Sequence, residues 1–223
     1  MDWWLRDHRD DLYLRVDGFN EFADYASLKA DNRFLTGFWA PGCDFLNSRR
    51  GTDARLGFAG SFGRFAQFDL SAGGATRAGA PVYGWVAGPR LMFCDYRVFS
   101  AKGSLALHFG ALQIEDEFLY QSSDIAMEGA VALPAFTNSA SVRYTLRRRI
   151  LFETSLVSMS SRDVIGVGKM PAGHDLRFRV NYKVNRRLSV WAKGINMLGS
   201  YVEQAPFARE DGFDLTAGVT LVL

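Results

Sequence analysis

The feature that most constrains this chain is a strict two-residue alternation of apolar and polar side chains. Between residues 175 and 184 every second side chain is apolar, and the intervening ones are polar. A period of two belongs to an extended strand, because an α-helix would spread both sets around its circumference. The segment is therefore predicted to be a β-strand with an apolar face formed by Leu176, Phe178, Val180, Tyr182 and Val184.

Comparable alternation recurs along the rest of the sequence. It is clear at 213–223, noisier at 136–146, 150–159 and 188–197, present at 53–62, 64–75, 89–99 and 104–114, and weaker at 9–17 and 24–36. This predicts about eleven strands of about ten residues, whereas strands in soluble proteins usually have about 5–6. About ten residues is the length with which a tilted strand crosses a bilayer. The 22 Gly and 18 Phe against 6 Pro also favour an all-β fold.

The predicted connections alternate between short and long. Residues 63, 100–103, 147–149 and 185–187 form the short ones, and 76–88, 115–134, 160–173 and 198–212 form the long ones. Outer-membrane barrels have tight periplasmic turns and longer outer loops, whereas a sandwich has no reason to alternate in this way. The prediction is an antiparallel up-and-down transmembrane β-barrel, or an open half of one. It occupies residues 1–223 as a single domain without a plug domain, and its C-terminus is periplasmic.

The same alternation predicts which side chains meet lipid and which line a wet interior. The predicted lipid-facing set is Val142, Tyr144, Phe178, Val180, Tyr182, Val219 and Leu221. The interior set is Arg143, Arg177, Arg179, Asn181 and Lys183. Guanidinium groups in a lumen favour anionic solutes that bear carboxylate or phosphate groups, so Arg143, Arg177, Arg179 and Lys183 are candidate substrate-binding residues. Alternatively, the arginines pair with acidic residues of a plug or of neighbouring strands.

Other classes of function find little support in the sequence. The net charge of +2 gives no global reason to expect nucleic acid as a partner. Two cysteines, Cys43 and Cys94, cannot form a disulfide framework. The histidines are far apart, and no nucleophile elbow, dinucleotide loop or metal motif is present. We therefore expect no enzyme activity, no metal and no cofactor. The first residues also show no signal peptide.

The C-terminal third carries a family resemblance. Residues 188–198 end in Asn196, Met197 and Leu198, followed by Tyr201, Pro206 and an alternating terminal strand. This resembles the end of TonB-dependent outer-membrane receptors, whose penultimate strand carries Asn-Leu ahead of a Tyr. The similarity covers residues 136–223, with Leu223 standing where a terminal Phe is usual. The resemblance implies a Gram-negative outer-membrane protein that takes up a nutrient with energy passed from TonB through a plug.

Three hypotheses follow from these patterns. Receptors of this family have barrels of about 22 strands, so the chain would be the C-terminal part of a longer receptor. A second hypothesis is a complete small barrel with a structural, adhesive or pore role, which needs an even number of strands and pairing between the first and last. The third is a soluble β protein that binds a ligand and buries its apolar face. Outer-membrane lipid is the expected partner of the first two.

Overall fold

The computed structural model describes residues 8–22, 48–147, 149–185, 187–200 and 212–221. The strands in these ranges are β1 His8–Phe22, β2 Ser48–Phe62, β3 Ala66–Trp85, β4 Pro89–Phe109, β5 Leu112–Ser123, β6 Phe136–Leu146, β7 Ile150–Met159, β8 Arg162–Val164, β9 Gly168–Met170, β10 Gly173–Lys183, β11 Leu188–Ile195 and β12 Asp214–Leu221. The described ranges hold no helix of a length and hydrophobicity suited to crossing a membrane.

Ten of the strands form one antiparallel sheet, and β8 and β9 form a separate hairpin. The order in the large sheet follows the sequence, from β1 at one edge to β7, and then β10, β11 and β12 at the other edge. Within the described residues no pairing joins β1 to β12. The predicted all-β, antiparallel, up-and-down fold is confirmed, and its form is an open sheet.

Nine strands of the sheet have a predicted counterpart, and the segment 24–36 lies outside the described residues. The predicted strands 89–99 and 104–114 are wrong as two strands, because both lie largely in β4, and most of β5 was predicted as a connection. The predicted turn at 100–103 is wrong, because β4 runs straight through it to Phe109. Gly103 lies inside β4 and pairs with Phe118 of β5. Its missing side chain leaves room for the Phe118 ring, because a Cβ there would lie 2.3 Å from that ring. The turn comes instead at Gly110, whose φ of 63° is the left-handed conformation that glycine tolerates. Glu115 therefore lies in β5 and not in a long connection.

The connection predicted at 76–88 is also different in the structure. β3 and β4 continue as paired strands to Trp85 and Pro89, with a register shift between Arg77 and Ala80. Their neighbours stop earlier, because β2 pairs with β3 only as far as Ala78 and β5 pairs with β4 only as far as Val98. Residues 78–97 thus form a hairpin arm that projects beyond the rim of the sheet. The backbone groups of the arm are satisfied by pairing between its two strands, so this connection is not an open loop.

The register sorts the side chains of the sheet onto two faces. One face, called the apolar face, exposes large hydrophobic side chains that include Leu12, Leu14, Val16, Leu56, Phe58, Leu70, Phe99, Leu105, Tyr144, Phe152, Tyr182, Leu215, Val219 and Leu221. It also carries some polar groups, such as Asp116, whose Oδ1 accepts a hydrogen bond from Asn138 Nδ2 at 2.7 Å. The opposite face, called the polar face, carries the charged side chains described below.

The two ends of the sheet differ in their connections. Those between β2 and β3, β4 and β5, β6 and β7, and β10 and β11 contain two to four residues each. At the other end lie the β3–β4 arm, residues 124–135, and the β7–β10 connection that includes β8 and β9. The sheet is therefore bounded by tight turns at one end and by folded loops at the other.

Candidate functional site

A row of charged residues crosses four neighbouring strands on the polar face. Arg143 lies opposite Glu153, Glu153 lies opposite Arg179, and Arg179 lies opposite Lys193. Glu153 Oε1 accepts hydrogen bonds from Arg143 Nε at 2.7 Å, and its Oε2 lies 3.8 Å from Arg179 Nη1. One carboxylate thus serves the guanidinium groups on both sides of it.

A second ionic contact ties β10 to the end of β11. Asp175 is 4% exposed, and its Oδ2 accepts hydrogen bonds from Arg177 Nε at 2.6 Å. The other oxygen of Asp175 accepts a hydrogen bond from the backbone N–H of Asn196 at 3.1 Å. Asn196 has a φ of 50°, which ends the strand here. The carboxylate of Asp175 therefore fixes the position of the residue that carries the family resemblance.

The charged row borders an open hollow of about 440 Å³ on the polar face, called the basic hollow. Its cationic lining residues are Arg143, Arg177, Arg179 and Lys193. The rest of the lining includes Gln113, Glu115, Ser141, Glu153 and Ser155. Because strands β5, β6, β7, β10 and β11 all contribute side chains to the lining, the hollow exists only when these strands are paired in this register.

A neighbouring hollow of about 380 Å³ has the opposite charge. Asp69, Glu115 and Glu117 line it, and Lys102 forms an ion pair with Glu117. The two hollows share Glu115 and Ser141. The polar face therefore has an acidic hollow lined by β3, β4, β5 and β6 beside a basic hollow lined by β5, β6, β7, β10 and β11.

The loops at the far end of the sheet pack into one unit, called the loop cluster, which consists of residues 78–97, 124–135 and 160–172. Trp85 N–H donates to Gly129 O at 2.7 Å, and Ala132 N–H donates to Asp163 O at 2.8 Å. Segment 129–132 therefore lies between β3 and β8 and bonds to both. Two small cores fill the cluster, formed by Val82, Cys94, Ile125 and Ala130 and by Val131, Val164 and Met170. Burial, with a smaller effect of Asp95, raises the pKa of the Cys94 thiol.

The structure brings together some of the predicted site residues but not all of them. Arg143, Arg177 and Arg179 line the basic hollow, whereas Lys183 lies on the same face outside its lining. Val142, Phe178 and their predicted lipid-facing partners share the apolar face. Leu198 is 56% exposed, while Tyr201, Leu223 and Cys43 lie outside the described residues.

Sequence reasoning missed Glu153 and Lys193 as members of the site. Both occupy polar positions of correctly predicted strands, so the two-residue period could have placed them on the interior face. Their proximity to Arg179 depends on the pairing register, which the period of a single strand does not contain. In the described part of the chain, no three His, Cys, Asp or Glu side chains are grouped as metal ligands.

Comparison with known proteins finds similarity in fold alone. No protein-family profile matches the sequence, and no curated protein is similar to it. The ferric-catecholate import receptor Fiu from K12 E. coli has a TM-score of 0.64 at 11% identity, over 95% of this chain and 33% of that one. The ferric enterobactin receptor PfeA of Pseudomonas aeruginosa has a TM-score of 0.63 at 12% identity, over 96% and 38%. The copper transporter OprC has a TM-score of 0.60 at 13% identity, over 95% and 37%.

These three structures are similar to nearly the whole of this chain. The chain spans about a third of their length. At 11–13% identity the similarity shows a shared fold but gives no information about a ligand. The sheet described here thus has the architecture of a section of an outer-membrane barrel wall.

Proposed function

We propose that the chain forms one side of the wall of an outer-membrane transport barrel, and that the intact protein is a TonB-dependent receptor for a nutrient. The observation that carries the proposal is a ten-stranded antiparallel sheet with one apolar face and one charged face, whose edge strands β1 and β12 pair with no other described strand on their outer sides. We propose a transport role rather than a catalytic one, without a cofactor and without nucleic acid as a partner.

The two faces support a position between lipid and water. Leu14, Leu56 and Val219 expose 72%, 56% and 66% of their surface on the apolar face. Soluble monomers rarely expose contiguous apolar patches larger than a few hundred Å². The polar face instead carries ion pairs such as Arg143–Glu153, and moving such charges from water into lipid would cost free energy. A barrel wall gives each face its own solvent, whereas a soluble sheet would have to cover the apolar one.

The open edges support a barrel larger than this sheet. A strand edge in lipid leaves backbone N–H and C=O groups without partners, and each such group costs several kcal/mol. A complete ten-stranded barrel would satisfy them by pairing β1 with β12, but the described residues show no such pairing. We infer that β1 and β12 pair with further strands, as in the longer receptors with this fold.

The TonB-dependent part of the proposal rests on two observations. The structures with this fold include a ferric enterobactin receptor, a ferric-catecholate import receptor and a copper transporter. The Asn196–Leu198–Tyr201 spacing resembles the end of TonB-dependent receptors, and Asp175 accepts a hydrogen bond from the Asn196 N–H. In such a protein the short turns face the periplasm, the loop cluster faces outward, and a plug inside the barrel contacts TonB.

Fractionation of cells tests the location directly. The intact protein is expressed in a Gram-negative host, and membranes are separated by density and washed with urea. We expect it in the urea-resistant outer-membrane fraction, with an electrophoretic mobility that changes on boiling. Recovery in the soluble fraction would refute the barrel proposal. Binding of the purified periplasmic domain of TonB to the intact protein then tests the receptor proposal, and its failure would leave only the barrel.

A further inference from the structure

The charged row on the polar face contains more positive than negative charges. Along β6, β7, β10 and β11 the directly opposed residues are Arg143, Glu153, Arg179 and Lys193, so the signs run plus, minus, plus, plus. Gln113 and Thr216 continue the row on either side and are neutral. Like charges directly opposite each other on one face of a sheet are destabilising. The row therefore has an excess of positive charge where Arg179 meets Lys193.

The carboxylates nearby are already engaged. Glu153 is shared between Arg143 and Arg179, and Asp175 is held by Arg177 and by the backbone of Asn196. Among the described residues, no carboxylate lies within ion-pair distance of the Lys193 ammonium group. Within the described sheet the two positive charges of Arg179 and Lys193 are therefore offset only by Glu153, which contacts Arg179, and an anion from outside the sheet would balance the remaining charge.

The cations of the hollow remain accessible to such an anion. The side chains of Arg143, Arg177 and Arg179 are 56%, 53% and 55% exposed in spite of their ion pairs. A guanidinium group has five N–H donors in a planar fork, so a single carboxylate does not use all of them. The hydroxyl groups of Ser141 and Ser155 lie opposite each other in the same hollow and add neutral donors.

We propose that the basic hollow binds a small anionic solute, whose carboxylate or phosphate group lies between Arg179 and Lys193. The volume of about 440 Å³ falls within the range of small-molecule sites. This inference rests on the proposed function, because the polar face is the transport lumen only if the sheet is a barrel wall. It places a binding site on the strands of the wall and not in the loop cluster.

Titration calorimetry on the intact protein, purified from outer membranes in a neutral detergent, tests the site. Citrate and inorganic phosphate are the probes, and glucose is the uncharged control. We expect binding of at least one anion and none of glucose, with affinity that falls as salt is added. Lys193→Gln and Arg179→Gln should each weaken binding about tenfold, the effect of one charge-assisted hydrogen bond.

Lys183→Gln is the matched control, because it removes one positive charge from the same face without touching the hollow. It should leave the affinity unchanged. Equal losses in Lys183→Gln and Lys193→Gln would show a general charge effect and would overturn the site. Absence of citrate and phosphate binding in the unchanged protein would overturn it as well, including the case in which an acidic segment of the same polypeptide fills the hollow.

The two proposals fail in distinguishable ways. A protein absent from the outer membrane contradicts the proposed function, whatever it binds. A protein that fractionates with the outer membrane but binds neither anion contradicts only the basic hollow. Each variant is first checked for its boiling-dependent change in mobility, so that a loss of folding is not taken for a loss of binding.

Discussion

An arginine placed on the apolar face should destabilise the sheet, while one placed on the polar face of the same strand should not. Leu56 lies near the middle of β2, is 56% exposed on the apolar face, and is paired with Leu14 and Ala72. Arginine facing lipid near the bilayer midplane costs about 2–4 kcal/mol. Leu56→Arg should therefore lower the ratio of folded to unfolded protein by about 30-fold to 1,000-fold.

Ala59 supplies the matched control three residues further along β2. It lies on the polar face directly opposite Asp11 in β1 and Asp69 in β3. An arginine there meets water and two carboxylates, and opposite charges across strands stabilise by about 0.2–1 kcal/mol. Ala59→Arg should leave the stability unchanged or raise it slightly.

The assay is urea unfolding of the intact protein in lipid vesicles, with the folded fraction read from the mobility of unboiled samples. We expect the midpoint of Leu56→Arg to fall clearly and that of Ala59→Arg to stay within error of the unchanged protein. If Leu56→Arg is tolerated to within about 0.5 kcal/mol, or if Ala59→Arg is the more damaging change, then the assignment of the lipid face is wrong.

Three further outcomes are expected of the intact protein. Asp175→Ala removes the partner of Arg177 and of the Asn196 N–H, so stability should fall by about 1–3 kcal/mol in the same urea assay, with Asp175→Asn losing less. Gly129→Val introduces a Cβ 2.7 Å from a backbone oxygen at a φ of 78°, so external protease should cut the loop cluster faster; Gly168→Ala, which meets nothing within 4 Å, should leave cleavage unchanged. In a variant in which Cys43 is replaced by serine, the raised pKa of Cys94 lowers its thiolate fraction near neutral pH. Maleimide labelling of Cys94 should therefore be slow and should accelerate as pH rises. Labelling as fast as that of an exposed cysteine would show that the loop cluster is open.

The alternation in the sequence predicts nine of the ten strands of the sheet but not most of β5, and it does not predict all of the turns. The two-residue period at 175–184 identifies β10 because one face of the strand is apolar and the other is polar. This period is a property of the strand alone and does not depend on which residues it pairs with. Glycine is ambiguous in the same sequence. Gly103 makes room for the Phe118 ring, whereas Gly110 adopts a positive φ and turns the chain. Which of these roles a glycine has depends on the neighbouring strand.

The candidate site depends on contacts between strands. Arg177 and Arg179 can be placed on one face from their own strand, but the sequence does not show that Glu153 and Lys193 lie on either side of Arg179. The loop cluster was missed for the same reason. Val131 bonds to Tyr83 across a separation of many residues, and this contact forms only after the strands between them have paired.

The most direct test of the barrel-wall proposal is the strand pairing of β1 and β12 in the intact protein, determined by electron cryomicroscopy in lipid nanodiscs. We expect a single closed barrel of more than ten strands, in which β1 and β12 each pair with a strand from outside the described sheet and the apolar face contacts lipid. Direct pairing of β1 with β12, or an apolar face covered by protein away from lipid, would contradict it.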